Sequence, residues 1–524
     1  MDAMNISKLI TLTLIASTPL WAVTNTIAED VIGGTLANDL EEASWQAAYS
    51  TYNRLVLEEG CIDGAQREPI DIPTDLPINE PTDFPIDEPA NEPNFASKLG
   101  FAQPRACTGQ VLEVFNNVRE VVHTANDIVG IGPTEFSLGS DLKGLGFALR
   151  WLAAEEFAAQ DDMSADFVNG QISGLSSRLS ALRFGAQGFQ FANNGAWKPG
   201  DNTEELGDIG GAAGGNNNYS RWGGFLNIQG GYGSREGTSL EDAFDIQGGT
   251  VTLGLDYRAS DEWITGMLLG YSEQEIDFDS SQSIVEGGIE SSGYNIMPFF
   301  MYQPGAFYLS GSLGIQQLTF DSIRAIRYTS FNPSVASSNT ETISTTDANI
   351  ASLFAEVGYS YNVRKLTIEP YLSVQASETT IDEFTEDDIN DDAFDLIVRE
   401  QNNRQTDVTV GLKTQYTFTP KIGVFIPYVA VEYVSQNSSG ADSIKADYAS
   451  LASSGSAFII PTEELDSSYQ TYTFGISSVL RGGRELTPGG GVGGDVQAFA
   501  NIKTISGLEG YELTFYTLGL RYAF

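Results

Sequence analysis

The chain has 524 residues, enough for more than one folding unit. It carries 70 acidic against 27 basic residues, a formal net charge of −43. That balance repels polyanions and excludes nucleic acid and anionic membrane surfaces as partners, leaving a solvated acidic surface or the capture of cations.

The first residues read as an export signal: Lys8 supplies positive charge, Leu9 to Ala16 an apolar run, and Pro19 and small residues follow. A start at Met4 would remove Asp2, and cleavage fits after Ala22 or after Ala28, so residues 1–28 are assigned to the signal. No later stretch approaches the about 20 apolar residues of a membrane-crossing helix, so any span must be made of strands.

Residues 29–109 form a short N-terminal region. A helical pattern around Leu40 to Leu57 brings Trp45, Tyr49, Tyr52 and Leu55 together. From Glu68 to Pro93 proline recurs every fourth residue among acids, which predicts an extended spacer (68–93) without backbone donors at those positions. The two cysteines, Cys61 and Cys107, flank that spacer. In an oxidising compartment they most simply form one disulfide, two free thiols being the alternative.

Residues 110–194 take a 3.6-residue period. Val111, Val114, Phe115, Val118, Val121 and Val122 share a face, Phe147 to Gln160 favours helix, and Phe167 to Phe184 continues with Ile172, Leu175, Leu179 and Leu182. A glycine- and asparagine-rich linker occupies 195–220.

From 221 to 524 the period becomes two. Val408, Val410, Leu412, Tyr416 and Phe418 alternate with Thr409, Gly411, Lys413, Gln415 and Thr417, whereas Tyr294 to Tyr302 shows apolar residues on both faces. About twelve segments follow, starting near Trp222, Asp245, Trp263, Glu290, Phe307, Asn349, Leu366, Arg404, Gly423, Tyr469, Asp495 and Tyr511. Short turns at 259–262, 303–306, 362–365 and 419–421 alternate with long polar loops at 326–348, 381–403 and 436–468; the glycine-rich run 481–494 is an overlong member of the short set. Such a pattern predicts a mainly β fold: a C-terminal 12-stranded antiparallel transmembrane β-barrel, monomeric and set in outer-membrane lipid, behind an α-helical linker. Aromatics near strand ends, Tyr257, Trp263 and Tyr302 among them, suit interfacial girdles.

The chain ends YTLGLRYAF, with Tyr516, Leu518, Leu520, Tyr522 and Phe524 in alternation and an aromatic last. That ending looks like the insertion signal of outer-membrane barrels. Together with the helical segments AEEFAAQ (Ala154–Gln160) and RLSALRFGAQG (Arg178–Gly188), residues Phe147 to Phe524 resemble the autotransporter (type V secretion) family. The resemblance implies a Gram-negative outer membrane, help from barrel-assembly machinery and periplasmic chaperones, and a helix that plugs the pore and joins an exported passenger. The chain departs from the family in having only about 120 residues between signal and linker, with no β-repeat, so the passenger would be unusually short.

Catalytic groups are scarce. His123 is the only histidine and reads as an ordinary helix residue; no GxSxG elbow and no phosphate-binding loop occurs. We therefore expect no enzyme, cofactor or metal site. The acidic loop Ile381–Asp395 lacks calcium-loop spacing, and Asn193–Asn194 is weak evidence for asparagine-mediated cleavage. Alternation puts Asp256, Glu356, Glu369 and Glu432 on the non-lipid face, where Arg178 and Arg183 of the linker helix could pair with them. A water-filled lumen is the alternative. The reading is thus a non-enzymatic translocator barrel displaying its own N-terminal segment; a passive cation-preferring channel and an adhesin acting through long loops are the rivals.

Overall fold

A computed structural model describes residues 32–61, 107–184, 221–481 and 496–523, less short stretches at 33–34, 37, 261, 279–283, 421–423, 441, 455–457, 464–467 and 509. The expected signal sequence, the proline-rich spacer, Asn193–Asn194, the 195–220 linker, the run 482–495 and Phe524 lie outside them.

Twelve long strands build the wall. β1 Trp222–Arg235, β2 Phe244–Arg258, β3 Trp263–Phe278 and β4 Gly287–Tyr302 come first. β5 Phe307–Tyr328, β6 Ser338–Tyr359, β7 Leu366–Ile381 and β8 Gln401–Tyr416 follow. β9 Val424–Ser439, β10 Ser468–Arg481, β11 Val496–Ser506 and β12 Tyr511–Ala523 complete it. Each pairs antiparallel with the next, and β12 returns to β1, from Gly223 opposite Ala523 to Arg235 opposite Tyr511. Two short pieces, Tyr361–Val363 and Asp387–Asp388, add to the same sheet. Closure satisfies the backbone N–H and C=O groups of every edge, which hydrocarbon would otherwise leave unpaired.

The outer face is apolar between two aromatic rings. Trp222 packs on Tyr257 and Trp263 on Tyr302 at the short-turn end; Tyr271 meets Tyr294 and Tyr232 meets Tyr516 toward the other. Between the rings, Leu313 and Ile315 are 61% and 71% exposed, values that suit lipid contact and not water. Ten residues separate Trp222 from Tyr232; at about 3.3 Å each, on tilted strands, they span the roughly 25 Å of an outer-membrane apolar band. Tyr294 to Tyr302 resolves in the same terms. Tyr294, Ile296 and Phe300 face lipid, while Met297, Phe299 and Met301 are buried inward.

Four stretches differ from the sequence expectation. The loop expected at 326–348 is largely strand: β5 and β6 stay in register up to Tyr328 opposite Ser338. The loops at 381–403 and 436–468 contain Phe384–Thr385, Leu396–Val398, Ser443–Tyr448 and Phe458–Pro461, which form a second, four-stranded sheet. Finally, the helix expected across Phe147 to Gln160 breaks at Ala154, which adopts φ 56°. A non-glycine residue in that region costs energy and is held by the packing around it.

Before the barrel come α1 Asp39–Glu58, α2 Gln110–Val129, α3 Leu142–Ala153, a 3₁₀ turn Glu155–Ala158 and α4 Ala159–Phe184. The Asn38 side chain caps α1 by accepting from Glu41 N at 2.8 Å, Asp141 caps α3 by accepting from Gly144 N at 3.0 Å, and Gly130 ends α2 with φ 71°. Trp45, Tyr52 and Leu55 of α1 and Val114, Phe115 and Val118 of α2 are buried together, with Tyr52 stacked on Phe115. The Cys61–Cys107 disulfide ties the two helices at the foot of that core. Among the described residues no helix is long and apolar enough to cross a membrane.

Candidate functional site

The barrel interior is occupied by α4. The helix touches the wall at successive levels, and the polar side chains it meets belong to strands all round the circle. Near its start, Asn403 of β8 donates to Asp161 at 2.6 Å, Arg235 of β1 donates to Asp162 at 2.6 Å, and the Tyr511 hydroxyl of β12 donates to Asp166 at 2.8 Å. Midway, Gln375 of β7 donates to Asn169 at 2.6 Å and Asn227 of β1 to the Gly174 carbonyl at 3.4 Å. Near its end, Lys413 of β8 donates to Ser180. Leu175, Leu179 and Leu182 are fully buried, and Gly270 of β3 lets the helix approach: a Cβ there would sit 2.6 Å from Gln171 Oε1 and 2.5 Å from Asn295 Oδ1.

The arginine and carboxylate positions named from sequence converge at the short-turn end. Arg178 pairs with Asp256, which Arg521 of β12 also reaches at 3.0 Å. Arg183 lies 3.3 Å from Glu356 and 3.8 Å from Glu369, with its guanidinium over the Tyr308 ring. Glu369 also accepts from the Ser360 hydroxyl. Glu432 faces inward but is not brought to either arginine. It accepts from Tyr371 and Thr471 and pairs with Lys503 at 3.3 Å, all within the wall.

At the opposite end, where the long connections gather, α1 to α3 pack over the rim. Arg324 of β5 is the junction: its fork grips Glu386 at 2.9 and 2.6 Å while it donates to the carbonyls of Trp151, at 3.3 Å, and Phe394, at 3.1 Å. Arg150 of α3 pairs with Asp242 in the β1–β2 connection. Asn332, at the tip between β5 and β6, donates to the carbonyls of Glu135 and Ser137, and Asn117 of α2 donates to the Asp392 carbonyl. Phe157 meets Phe384 edge-on, and the strand Phe458–Pro461 packs on α1. The sequence reading missed these contacts because they join residues far apart in the chain. One signal was available: Arg324 and Arg235 fall on inward positions, where an arginine needs a buried partner.

Glu155 and Glu156 sit between the helices over the rim and the lumen helix, 2% and 3% exposed, and none of their four carboxylate oxygens accepts a hydrogen bond among the described residues. Burial pushes the Glu156 carboxyl up to about 7 against the opposing pull of Arg324. Burial, reinforced by Glu156 and Asp242, pushes Glu155 well above the carboxylate range.

His123 is fully buried in α2, where its Nδ1 accepts from Phe136 N at 3.1 Å between the Tyr52 and Phe136 rings. In the acidic loop, Asp388 accepts from Thr340 and from Phe394 N, and Glu386 from Arg324 and Thr342. In the last strand Tyr516, Leu518, Leu520 and Tyr522 all face lipid.

A closed antiparallel barrel with an apolar band, aromatic rings, short turns at one end and long connections at the other defines an outer-membrane β-barrel protein of a Gram-negative bacterium. The family model "Autotransporter beta-domain" matches residues 224–486. The chain belongs to the autotransporter β-domain family, whose barrel is a transport domain. No curated protein matches the sequence. Among solved structures, the translocator domain of autotransporter NalP from Neisseria meningitidis is similar at 12% identity and TM-score 0.41, over 59% of this chain and 90% of that one. The β-domain of the Bordetella autotransporter BrkA is similar at 15% identity and TM-score 0.40, over 58% and 99%. A Pseudomonas aeruginosa FadL homologue is similar at 8% identity and TM-score 0.32, over 58% and 90%.

Proposed function

We propose that the chain is a non-enzymatic translocator that exports its own short N-terminal segment and retains it as a cap, with α4 plugging the pore. The observation that carries this reading is the direction of α4: Asp161 to Asp166 lie at the long-connection end, Arg178 and Arg183 at the short-turn end. Long connections of outer-membrane barrels face the exterior. A helix running inward from that end implies that everything before it has already crossed. The residues of α1 to α3 then rest on the outer rim, bound to Asp242, Asn332 and Arg324.

Folding and assembly supply the driving force, since no nucleotide-binding motif is present. Barrel-assembly machinery and periplasmic chaperones are the partners this route calls for. The lone histidine, buried with Nδ1 engaged, offers no general base to a substrate and supports a non-enzymatic role.

Protease treatment of intact cells tests the reading, with an epitope inserted in the 68–93 spacer. Loss of the epitope while the barrel stays whole is the expected result. Protection of the epitope until the outer membrane is breached would place the segment in the periplasm and overturn the proposal.

A further inference from the structure

Between the first turn of α4 and the wall, at the outer rim, lies a cavity of about 230 Å³. It sits above the lipid band: the outward row of β8 is polar at Arg404 and Thr406 and becomes apolar from Val408, whereas the cavity is lined by Gln401, Asn403 and Gln405 of the inward row. Five carboxylates line it, those of Asp161, Asp162, Glu241, Asp442 and Glu463, against one guanidinium, Arg235. That guanidinium is already engaged, 2.6 Å from Asp162 and 2.5 Å from Glu241. Asp161, Asp442 and Glu463 make no ion pair among the described residues.

A second, independent feature points to a ligand. Asn403 is 6% exposed, and its Nδ2 donates to Asp161 at 2.6 Å while its Oδ1 is buried with no donor among the described residues. Such an acceptor is costly unless a donor fills the site. The ligand must therefore be cationic and rich in N–H groups. A single metal ion fits poorly, because no three acidic, histidine or cysteine side chains converge as metal ligands among the described residues. Charges spread round a cavity call for charges spread along a ligand, and the volume lies below the about 300–1,000 Å³ of pockets for drug-sized molecules.

We propose that this rim cavity binds a small linear organic polyamine, its ammonium groups taken by Asp161, Asp442 and Glu463 and one N–H by Asn403 Oδ1. A bound polyamine joins the first turn of α4 to the β9–β10 connection and holds the lumen helix at its outer end. Burial pushes Glu241, despite Arg235, and Asp161, beside Asp162, up to about 7 and raises Asp162 as well, so the cavity is more negative, and binding tighter, at pH 8 than at pH 6.

The test is calorimetry of the full chain in detergent micelles with spermidine, against magnesium chloride and sodium chloride at equal ionic strength. Saturable one-site binding of spermidine alone, stronger at pH 8, is expected. The double variant Asp442→Asn/Glu463→Gln, at the cavity mouth, should bind about tenfold more weakly. Asp161→Asn should weaken binding similarly, and retained heat-modifiable gel mobility certifies that each variant folds. No saturable binding, equal binding of magnesium, or unchanged affinity in the mouth variant would overturn the proposal. None of these outcomes depends on which side of the membrane α1 to α3 occupy.

Discussion

Arg178 of the lumen helix and Asp256 of β2 form an ion pair with side chains only 1% and 3% exposed, and Arg521 shares the carboxylate from the neighbouring strand at 3.0 Å. Breaking a buried pair from one side costs roughly 3–5 kcal/mol because the remaining charge is stranded. Arg178→Ala should fall at the low end of that range, since Arg521 stays. We expect a lower temperature for loss of heat-modifiable mobility. The double variant Arg178→Ala/Arg183→Ala should also open the lumen and raise single-channel conductance in planar bilayers. Unchanged conductance in the double variant would count against α4 as a plug.

The paired acids between rim and lumen predict a pH dependence. Burial raises the carboxyls of Glu155 and Glu156, the latter to about 7, above the unfolded value. A raised carboxyl pKa contributes stability that is fully present below about pH 4.5 and is lost as pH rises through about 7. Packing of α1 to α3 on the rim should thus be firmest in acid and loosest above neutrality. Glu155→Gln/Glu156→Gln should flatten that profile and slow proteolysis of the cap at pH 8 with little effect at pH 5. Parallel profiles for variant and parent would remove the explanation.

The Cys61–Cys107 bond encloses a separation of 46 residues. In the chain-entropy account such a cross-link is worth about 4 kcal/mol. Cys61→Ser/Cys107→Ser should make α1 and α2 protease-sensitive and leave barrel mobility on gels as in the parent, because the wall's hydrogen bonds do not involve them. Joint loss of both would show that wall and cap fold as one unit.

Gly270 marks the close approach of helix and wall, where a side-chain carbon would intrude on Gln171 and Asn295. Gly270→Val should cost about 1–3 kcal/mol through overpacking. The lowered heat-modifiability midpoint should be accompanied by flickering conductance. A midpoint equal to the parent's would mean that the helix shifts freely in its seat.

The barrel was readable wherever lipid demands apolar residues. Trp222, Trp263, Phe307, Leu366 and Tyr511 each begin a strand at the position expected from the two-residue rhythm. The same rule is silent above the lipid band, which is why the first eleven residues of β6, rich in Ser and Thr, read as loop. Within the lumen, Arg178, Arg183, Asp256, Glu356 and Glu369 were legible because inward acids and helix arginines have few other ways to be neutralised. Glu432 was legible only as inward-facing; its partner Lys503 sits two strands away and no local pattern announces it. The rim contacts of Arg150 and Arg324 were hidden because their acidic partners, Asp242 and Glu386, stand in connections between strands, where no regular period places a side chain.

α4 finishes at the end of the barrel where β1 begins, so residues 185–220 join two points on the same side of the membrane. A single cut anywhere in that tether would turn one chain into two held by shape and charge alone. The severed piece would keep every wall contact described for α4, from Asp161 to Arg183, because all of them lie upstream of the break. Whether α1 to α3 then stayed with the barrel would be decided by the grip of the lumen rather than by the bond that was lost.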